Sequence, residues 1–497
     1  MYTVNPKNVV VQNPALSNFI CDSYDLAKLS QLKDVLVSHN ALTLHRYGSG
    51  GASAVTIVAS PELDNFVEAL LKQPLYEETL RNQYLNLVAA LPPSQAKLSL
   101  GDSISGLLCN MWDRDNIMQA IGELSLLDEK KAIDPAYGVN NASWKRGLLA
   151  SLKHHYIYQN RFIDMIDLKV SGYAKDFGKR PNIRYNAVTL AETPDPWGHA
   201  QNDSLAFVSY LLFYALNRGF ISFVDSDLQP MASAYICLQH AMFETIQVWH
   251  DSDLGAWEDT AAVHASSIMV VVASLREQLK FLRQHGPVTY NIPGHNFVVT
   301  VDSVEAMLNK CLDTLKQVLP NEFVTSANGA KRTADLAFLN PLLLAYMSGE
   351  PILSDDVTLT LLNEIESNLL GPIAIGRYAG DVWDGRVNRY DLGPHEIAQW
   401  CHGNAMMSSL YGMLYRKTNN QAFYEKQVWY FNRTIASVTK NWLIPEAYIV
   451  DVATRTWVPD ANEPLAWATS MTIKAFGELE ASIKHSQNLW SVDTIAA

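Results

Sequence analysis

Hydrophobic residues recur at steps of three and four along most of the chain after the first sixty residues. Ile268, Val272, Leu275, Leu279 and Leu282 form one such row, and Val304, Met307, Cys311, Leu315 and Val318 form another; each is the buried stripe of an amphipathic helix. The second helix is expected to open at Asp302, with Glu305 three residues on at the spacing of a capping box, and to stop at Pro320. Similar stretches near 24–38, 62–90, 115–127, 144–160, 203–219, 229–249, 335–348, 355–369, 395–417, 420–440 and 463–484 bring the count to about a dozen helices. Residues 204–216 and 404–415 are apolar nearly all round, whereas 269–284 and 303–319 carry a polar face. Inner apolar helices alternating with outer half-polar ones are what a double ring of helices requires.

Period-two alternation is rarer. Ala41–His45 and Ala54–Ala59 flank Gly48-Ser49-Gly50-Gly51, and Tyr448–Val452 leads toward Thr456-Trp457-Val458, so two hairpins are expected. The glycine cluster lacks the lysine of a phosphate loop and reads as a turn. A boundary at Pro92-Pro93 divides an N-terminal cap over 1–92, with hairpin and helices, from a helical domain over 93–497.

Charge and cysteine usage narrow the function. The 51 acidic against 38 basic side chains leave −13, with no Lys/Arg cluster able to hold a phosphate backbone, so nucleic acid is not an expected partner. The longest strongly apolar run, Leu205–Leu216, is shorter than the roughly 20 residues of a membrane span. The start, Met1-Tyr2-Thr3-Val4-Asn5-Pro6, lacks the basic-then-apolar layout of a leader. Cys21, Cys109, Cys237, Cys311 and Cys401 are scattered and read as free thiols. Together these favour a cytoplasmic protein, a processed secreted chain being the alternative. No metal or other cofactor is expected: there is no Cys-x-x-Cys pair, His395-Glu396 lacks a second histidine, and no Asp-Asp-x-x-Asp array of a magnesium-dependent cyclase occurs. Nothing here sets an oligomeric state.

The loops repeat one pairing, tryptophan with carboxylate: Trp112-Asp113-Arg114-Asp115, Trp197 with Asp203, Trp257-Glu258-Asp259, Asp381-Val382-Trp383, and Glu446 followed by Trp457. Flat rings cover the C–H faces of a sugar while carboxylates and guanidinium groups bind its hydroxyls. Glycosidic hydrolysis needs one carboxylic acid to protonate the leaving oxygen and one carboxylate to attack or to activate water. Glu258 is the candidate acid, because Trp257 can shield it from water and Asp259 adds a like charge, both raising its proton affinity. Glu446, in Ile444-Pro445-Glu446-Ala447-Tyr448, is the candidate base.

These segments resemble glycoside hydrolase family 15, the glucoamylases, and their relatives the regulatory α subunits of phosphorylase kinase. Trp112-Asp113-Arg114-Asp115 looks like the family's Trp-x-Arg-Asp loop, which implies that Arg114 and Asp115 hold the terminal glucose. Trp197-Gly198-His199-Ala200-Gln201-Asn202-Asp203 is similar to its Trp-Gly-x-x-Gln-x-Asp segment, whose tryptophan packs over the acid. Trp257-Glu258-Asp259 matches the signature that begins with the acid's tryptophan. Gly376-Arg377-Tyr378-Ala379-Gly380-Asp381 resembles the Gly-Arg-Tyr-x-x-Asp stretch, with Arg377 a sugar ligand. Leu443-Ile444-Pro445-Glu446 resembles the loop of the base, and Pro464-Leu465-Ala466-Trp467 the closing Leu-x-Trp. The segment Gln399-Trp400-Cys401-His402-Gly403 departs from the family's Trp-Phe pattern, and Ala265-Ser266-Ser267 is nearer the kinase subunits.

The resemblance implies an all-α fold, the (α/α)6 barrel or six-hairpin toroid, here with a small N-terminal α+β cap. It also implies an inverting, exo-acting hydrolase that releases β-D-glucose from an α-glucan or small α-glucoside, with the two carboxyl groups roughly 6.5–9.5 Å apart. Trp112, Trp197, Asp203, Trp257, Asp259 and Trp467 would complete the sugar and acid surroundings. The choice among α-1,4, α-1,6 and trehalose bonds stays open. The alternative from another class is a catalytically silent glucan-binding or regulatory module; retention of both Glu258 and Glu446 argues for hydrolysis.

Overall fold

The computed structural model describes residues 41–48, 51–58, 110–124, 143–169, 179–186, 189–193, 197–324, 331–383, 387–390, 396–437, 439, 444–451, 453–460, 462 and 465–493. The expected helices at 24–38 and 62–90 and the boundary at Pro92 lie outside them. The first expected hairpin is present: β1 (Ala41–Gly48) pairs antiparallel with β2 (Gly51–Val58), Gly48 opposite Gly51. Twelve α-helices occur among the described residues. No helix there is long and apolar enough to cross a membrane, and no group of three His, Cys, Asp or Glu side chains is placed to hold a metal ion.

The chain forms two compact units, one of residues 109–120 and 134–364, the other of 121–133 and 365–497 with the chain before Cys109. In the first, β3 (Asn110–Trp112) runs into α1 (Asp113–Leu124) and is followed by α2 (Ser143–Ile157), α3 (Asn160–Ile166) and β4 (Arg184–Asn186). Strand β4 pairs with β3 and sets Arg184 opposite Trp112. Next come α4 (Asn202–Asn217), α5 (Gln229–Thr245) and α6 (Ala265–His285). Helix α4 is the expected inner helix, buried from Asn202 to Leu216. Each fully buried side chain such as Phe207 or Leu211 is worth about 1.5–3 kcal/mol over leaving it in water.

Helix α6 packs along α4, and the polar face expected over 269–284 is narrow: Arg276, Lys280, Arg283 and Gln284 keep it on one stripe. Its burial reaches Ser274, Glu277 and Gln278. Glu277 is tolerated inside because Asn217 Nδ2 donates to its Oε2 at 2.7 Å and Lys280 Nζ to its Oε1 at 2.8 Å. A polar letter at a core position thus marked a paired buried charge.

An unexpected hairpin follows, β5 (Val288–Ile292) with β6 (His295–Val299). Helix α7 (Val301–Val318) then shows the expected exposed face, but its cap differs from the reading at Asp302 and Glu305. The N-cap is Thr300, which exchanges hydrogen bonds with Ser303. Asp302 falls inside the first turn, and Glu305 pairs with Arg283. The unit closes with β7 (Phe323–Val324), β8 (Lys331–Arg332), a 3-10 turn at Leu336–Phe338, α8 (Leu339–Met347) and the start of α9 (Asp355–Leu369).

In the second unit, β9 (Gln399–Trp400) leads into α10 (His402–Thr418), followed by α11 (Gln421–Ala436), β10 (Ala447–Val450), β11 (Trp457–Pro459) and α12 (Ala466–Asp493). Helix α10 is buried nearly throughout and packs against both α11 and α12. The second expected hairpin, β10 with β11, gains β9 as a third strand on the β10 edge.

Candidate active site

In the first unit, Glu258 sits on a pinched loop. Asp253 and Ala262 exchange both backbone hydrogen bonds at 2.9 and 3.0 Å, and Leu254 N–H is tied to Ala200 O at 2.7 Å. Inside the pinch, Gly255 takes φ +62°, and a β-carbon there would meet the His264 ring at 3.0 Å, so a side chain is excluded twice over. Glu258 itself has φ +59°, a left-handed conformation costing a residue with a side chain about 1–2 kcal/mol. The cost marks a side chain held in place by its surroundings.

Those surroundings are charged. Arg114, at the start of α1, gives Nε to Asp203 Oδ2 at 2.9 Å and Nη2 to Asp203 Oδ1 at 3.1 Å, Gln201 Oε1 at 2.7 Å and Gly255 O at 3.2 Å. Its Nη1 faces Glu258 Oε1 at 3.5 Å. The Arg184 guanidinium lies over the rings of Trp197 at 4.3 Å and Trp112 at 4.8 Å, and these two rings meet edge to face at 5.9 Å. Burial, and after it the charge of Asp203, pushes the Glu258 carboxyl above the usual carboxylate range despite Arg114, Gln201 and Arg184. The like charge that matters is therefore Asp203. Asp259, the expected source, lies 3.6 Å from Arg332. Trp257 donates its indole N–H to Asp335 at 2.8 Å. Asp115 lies in the first turn of α1.

Behind the loop lies a second layer of buried charge. His264 offers Nδ1 to Glu322 at 3.0 Å and Nε2 to the Thr260 carbonyl at 2.8 Å. Two acceptors require two N–H groups, hence an imidazolium. Against burial, the bond and charge of Glu322 hold it up at about 9. Burial pushes Asp253 and Asp335 each up to about 7.

In the second unit, Glu446 immediately precedes β10. Its N–H donates to Asn462 O and its carbonyl accepts from Cys401 N–H, both at 2.9 Å, while Asn462 Nδ2 donates to its carboxylate. The register Ala447 opposite Trp400 sets Trp400 beside this segment. Arg377 lies 5.1 Å from the Trp400 ring centre and is held by Asp381 through two hydrogen bonds, at 2.8 and 2.7 Å. Trp467 stacks on His402 at 4.4 Å and is only 6% exposed.

The structure thus gathers Trp112, Arg114, Trp197, Asp203 and Glu258 in one unit, and Arg377, Glu446 and Trp467 belong to the other. Within them, Arg184, Gln201, Asp381 and Asn462 were not singled out as site residues. Gln201 and Asp381 lay inside segments already noted. Arg184 and Asn462 carried no local signal, because strand register and loop closure bring them in.

The family pattern of glycosyl hydrolases family 15 matches residues 169–474, more than half of the chain. The chain belongs to this family. Among solved structures it is similar to a wild-type glycosidase at 14% identity, covering 82% of this chain and 99% of that one with a TM-score of 0.56. A glycosidase variant in complex with glucose matches at 14% identity over the same shares, TM-score 0.55. The glucoamylase from Saccharomycopsis fibuligera matches at 13% identity over 83% and 98% of the two chains, TM-score 0.53. No curated protein matches in sequence. Likeness at these identities shows the fold, the expected all-α (α/α)6 class. Membership in glycosyl hydrolases family 15 supports a glycoside hydrolase and implies a carbohydrate substrate.

Proposed function

We propose that the protein is an inverting, exo-acting α-glucosidase that releases β-D-glucose from the non-reducing end of an α-glucan or small α-glucoside. Glu258 gives its proton to the glycosidic oxygen as the bond to the anomeric carbon breaks. Glu446 takes a proton from the water that attacks this carbon, so the configuration inverts. Arg114, Asp115 and Arg377 orient the terminal sugar, with Trp112, Trp197 and Trp467 as apolar walls; Trp257, tied to Asp335, steadies the loop of Glu258. The observation that carries this reading is Glu258: a carboxyl group 21% exposed along its side chain, on a strained loop, with a raised proton affinity.

The test is sugar release from maltose, starch, isomaltose and trehalose by the wild type and by Glu258→Gln. Glucose from at least one substrate, abolished in the variant, is expected. Release by a fully active Glu258→Gln protein would remove the proposed acid; no release from any of them would favour a binding module.

A further inference from the structure

Arg114 and Asp203 are 3% and 2% exposed, so water and salt screen them little. A guanidinium 3.5 Å from Glu258 would, if left uncompensated, hold that carboxyl ionised, and an ionised carboxyl has no proton to give. The two-point bond from Arg114 to Asp203 opposes this field at its source. Both carboxylate oxygens of Asp203 are engaged by Arg114, which suits a charge partner better than a sugar contact. We propose that Asp203 is a positioning residue: it neutralises Arg114, so that Glu258 beside the same guanidinium retains the proton it delivers to the leaving oxygen.

The inference rests on Glu258 being the acid and deepens that reading. Other charged groups act on the same network: Asp115 on α1, Arg184 on β4, and Asp253 and His264 behind Asp203. All of them persist when Asp203 alone is changed, so the variant isolates one charge.

The experiment is the pH dependence of kcat on the best substrate for the wild type, Asp203→Asn, Asp203→Glu and Arg114→Gln. Loss of the proton from the acid sets the alkaline limb. In Asp203→Asn the bare guanidinium should move this limb about one pH unit downward, cutting kcat about tenfold on the alkaline side, with KM changed less than about threefold. Asp203→Glu should restore the limb, and Arg114→Gln should move it upward. A uniform loss with the limb unmoved in both Asp203→Asn and Arg114→Gln, or a rise in KM alone, would overturn the inference. If circular dichroism shows Asp203→Asn to be unfolded, the direction of the Arg114→Gln limb decides. A wild type without activity, or one that does not need Glu258, would overturn the assignment of the acid as well. An active enzyme that needs Glu258 but whose limb ignores Asp203 would overturn this inference alone.

Discussion

The segment around Glu258 is crowded with buried charge that acts on its carboxyl, whereas the Glu446 carboxylate is held by an amide, with a ring and the buried Asp460 alongside. Arg114, Arg184, Asp203, Asp253, His264 and Glu322 are each 3% exposed or less. The Glu446 carboxylate accepts from the side-chain amide of Asn462, whose backbone N–H donates to the buried Asp460; Trp400 lies opposite the next residue, Ala447, and the nearby cation Arg377 is matched by Asp381. The contrast suits two tasks. A group that must keep a proton at working pH needs burial and a balanced field, while a group that accepts a proton from water needs a fixed, ionised oxygen.

The sharpest way to break this contrast is to remove each carboxylate and change the leaving group. Glu258→Gln and Glu446→Gln should each lower kcat on a natural glucoside by about 10²–10⁴. On α-D-glucosyl fluoride, whose departing fluoride needs no proton, Glu258→Gln should recover most of its activity and Glu446→Gln should not. Equal recovery in both variants would erase the distinction.

A smaller effect separates the two surroundings by the pH dependence of stability. His264, about 9 in the fold against an ordinary 6.5, contributes stability that is full below pH 6.5 and is lost as pH rises toward 9, of order 3 kcal/mol in all. Asp253 and Asp335, each raised to about 7, bind protons more tightly in the fold and also lose stability upward from about pH 4. His402 is opposite in sign. Burial pushes it down to about 3, so the unfolded chain takes up the proton first and stability falls as pH drops below 6.5, by about 2–3 kcal/mol at pH 4.5. Thermal unfolding across pH should therefore show the alkaline loss flattened in Glu322→Gln and the acid loss flattened in His402→Phe. Flattening on the same side in both would refute the assignment.

The smallest expected effect concerns which aspartate acts on Glu258. Asp259→Asn should leave the alkaline limb in place and change kcat less than about twofold, since its carboxylate faces Arg332 and is 25% exposed. A limb displaced as far as in Asp203→Asn would return the role to Asp259.

The helical character of the described residues and the buried character of α4 and α10 were legible in the sequence, because a ring of helices writes its inner members as uninterrupted apolar runs. The loop of the proposed acid stood out because Trp257, Glu258 and Asp259 are chain neighbours. What could not be read comes from partners distant in sequence. Arg184 reaches Trp112 only through the β3–β4 register, and Asn462 reaches Glu446 across sixteen positions and a strand pair. Glu277 read as surface because its partners Asn217 and Lys280 decide its burial. The hairpin at 288–299 did leave a signal, Val288 and Tyr290 alternating with polar residues before Pro293-Gly294, but its five-residue strands are short. The cap of α7 was displaced by two residues because Thr300 and Ser303 satisfy the same spacing as Asp302 and Glu305.

Proton NMR of the sugar released in the first minutes of turnover, before mutarotation, tests the proposed inversion without intermediary. An inverting reaction gives a β-D-glucose signal first, with the α anomer growing in later. Initial release of the α anomer would contradict it, since a single displacement by water, as proposed, cannot retain configuration.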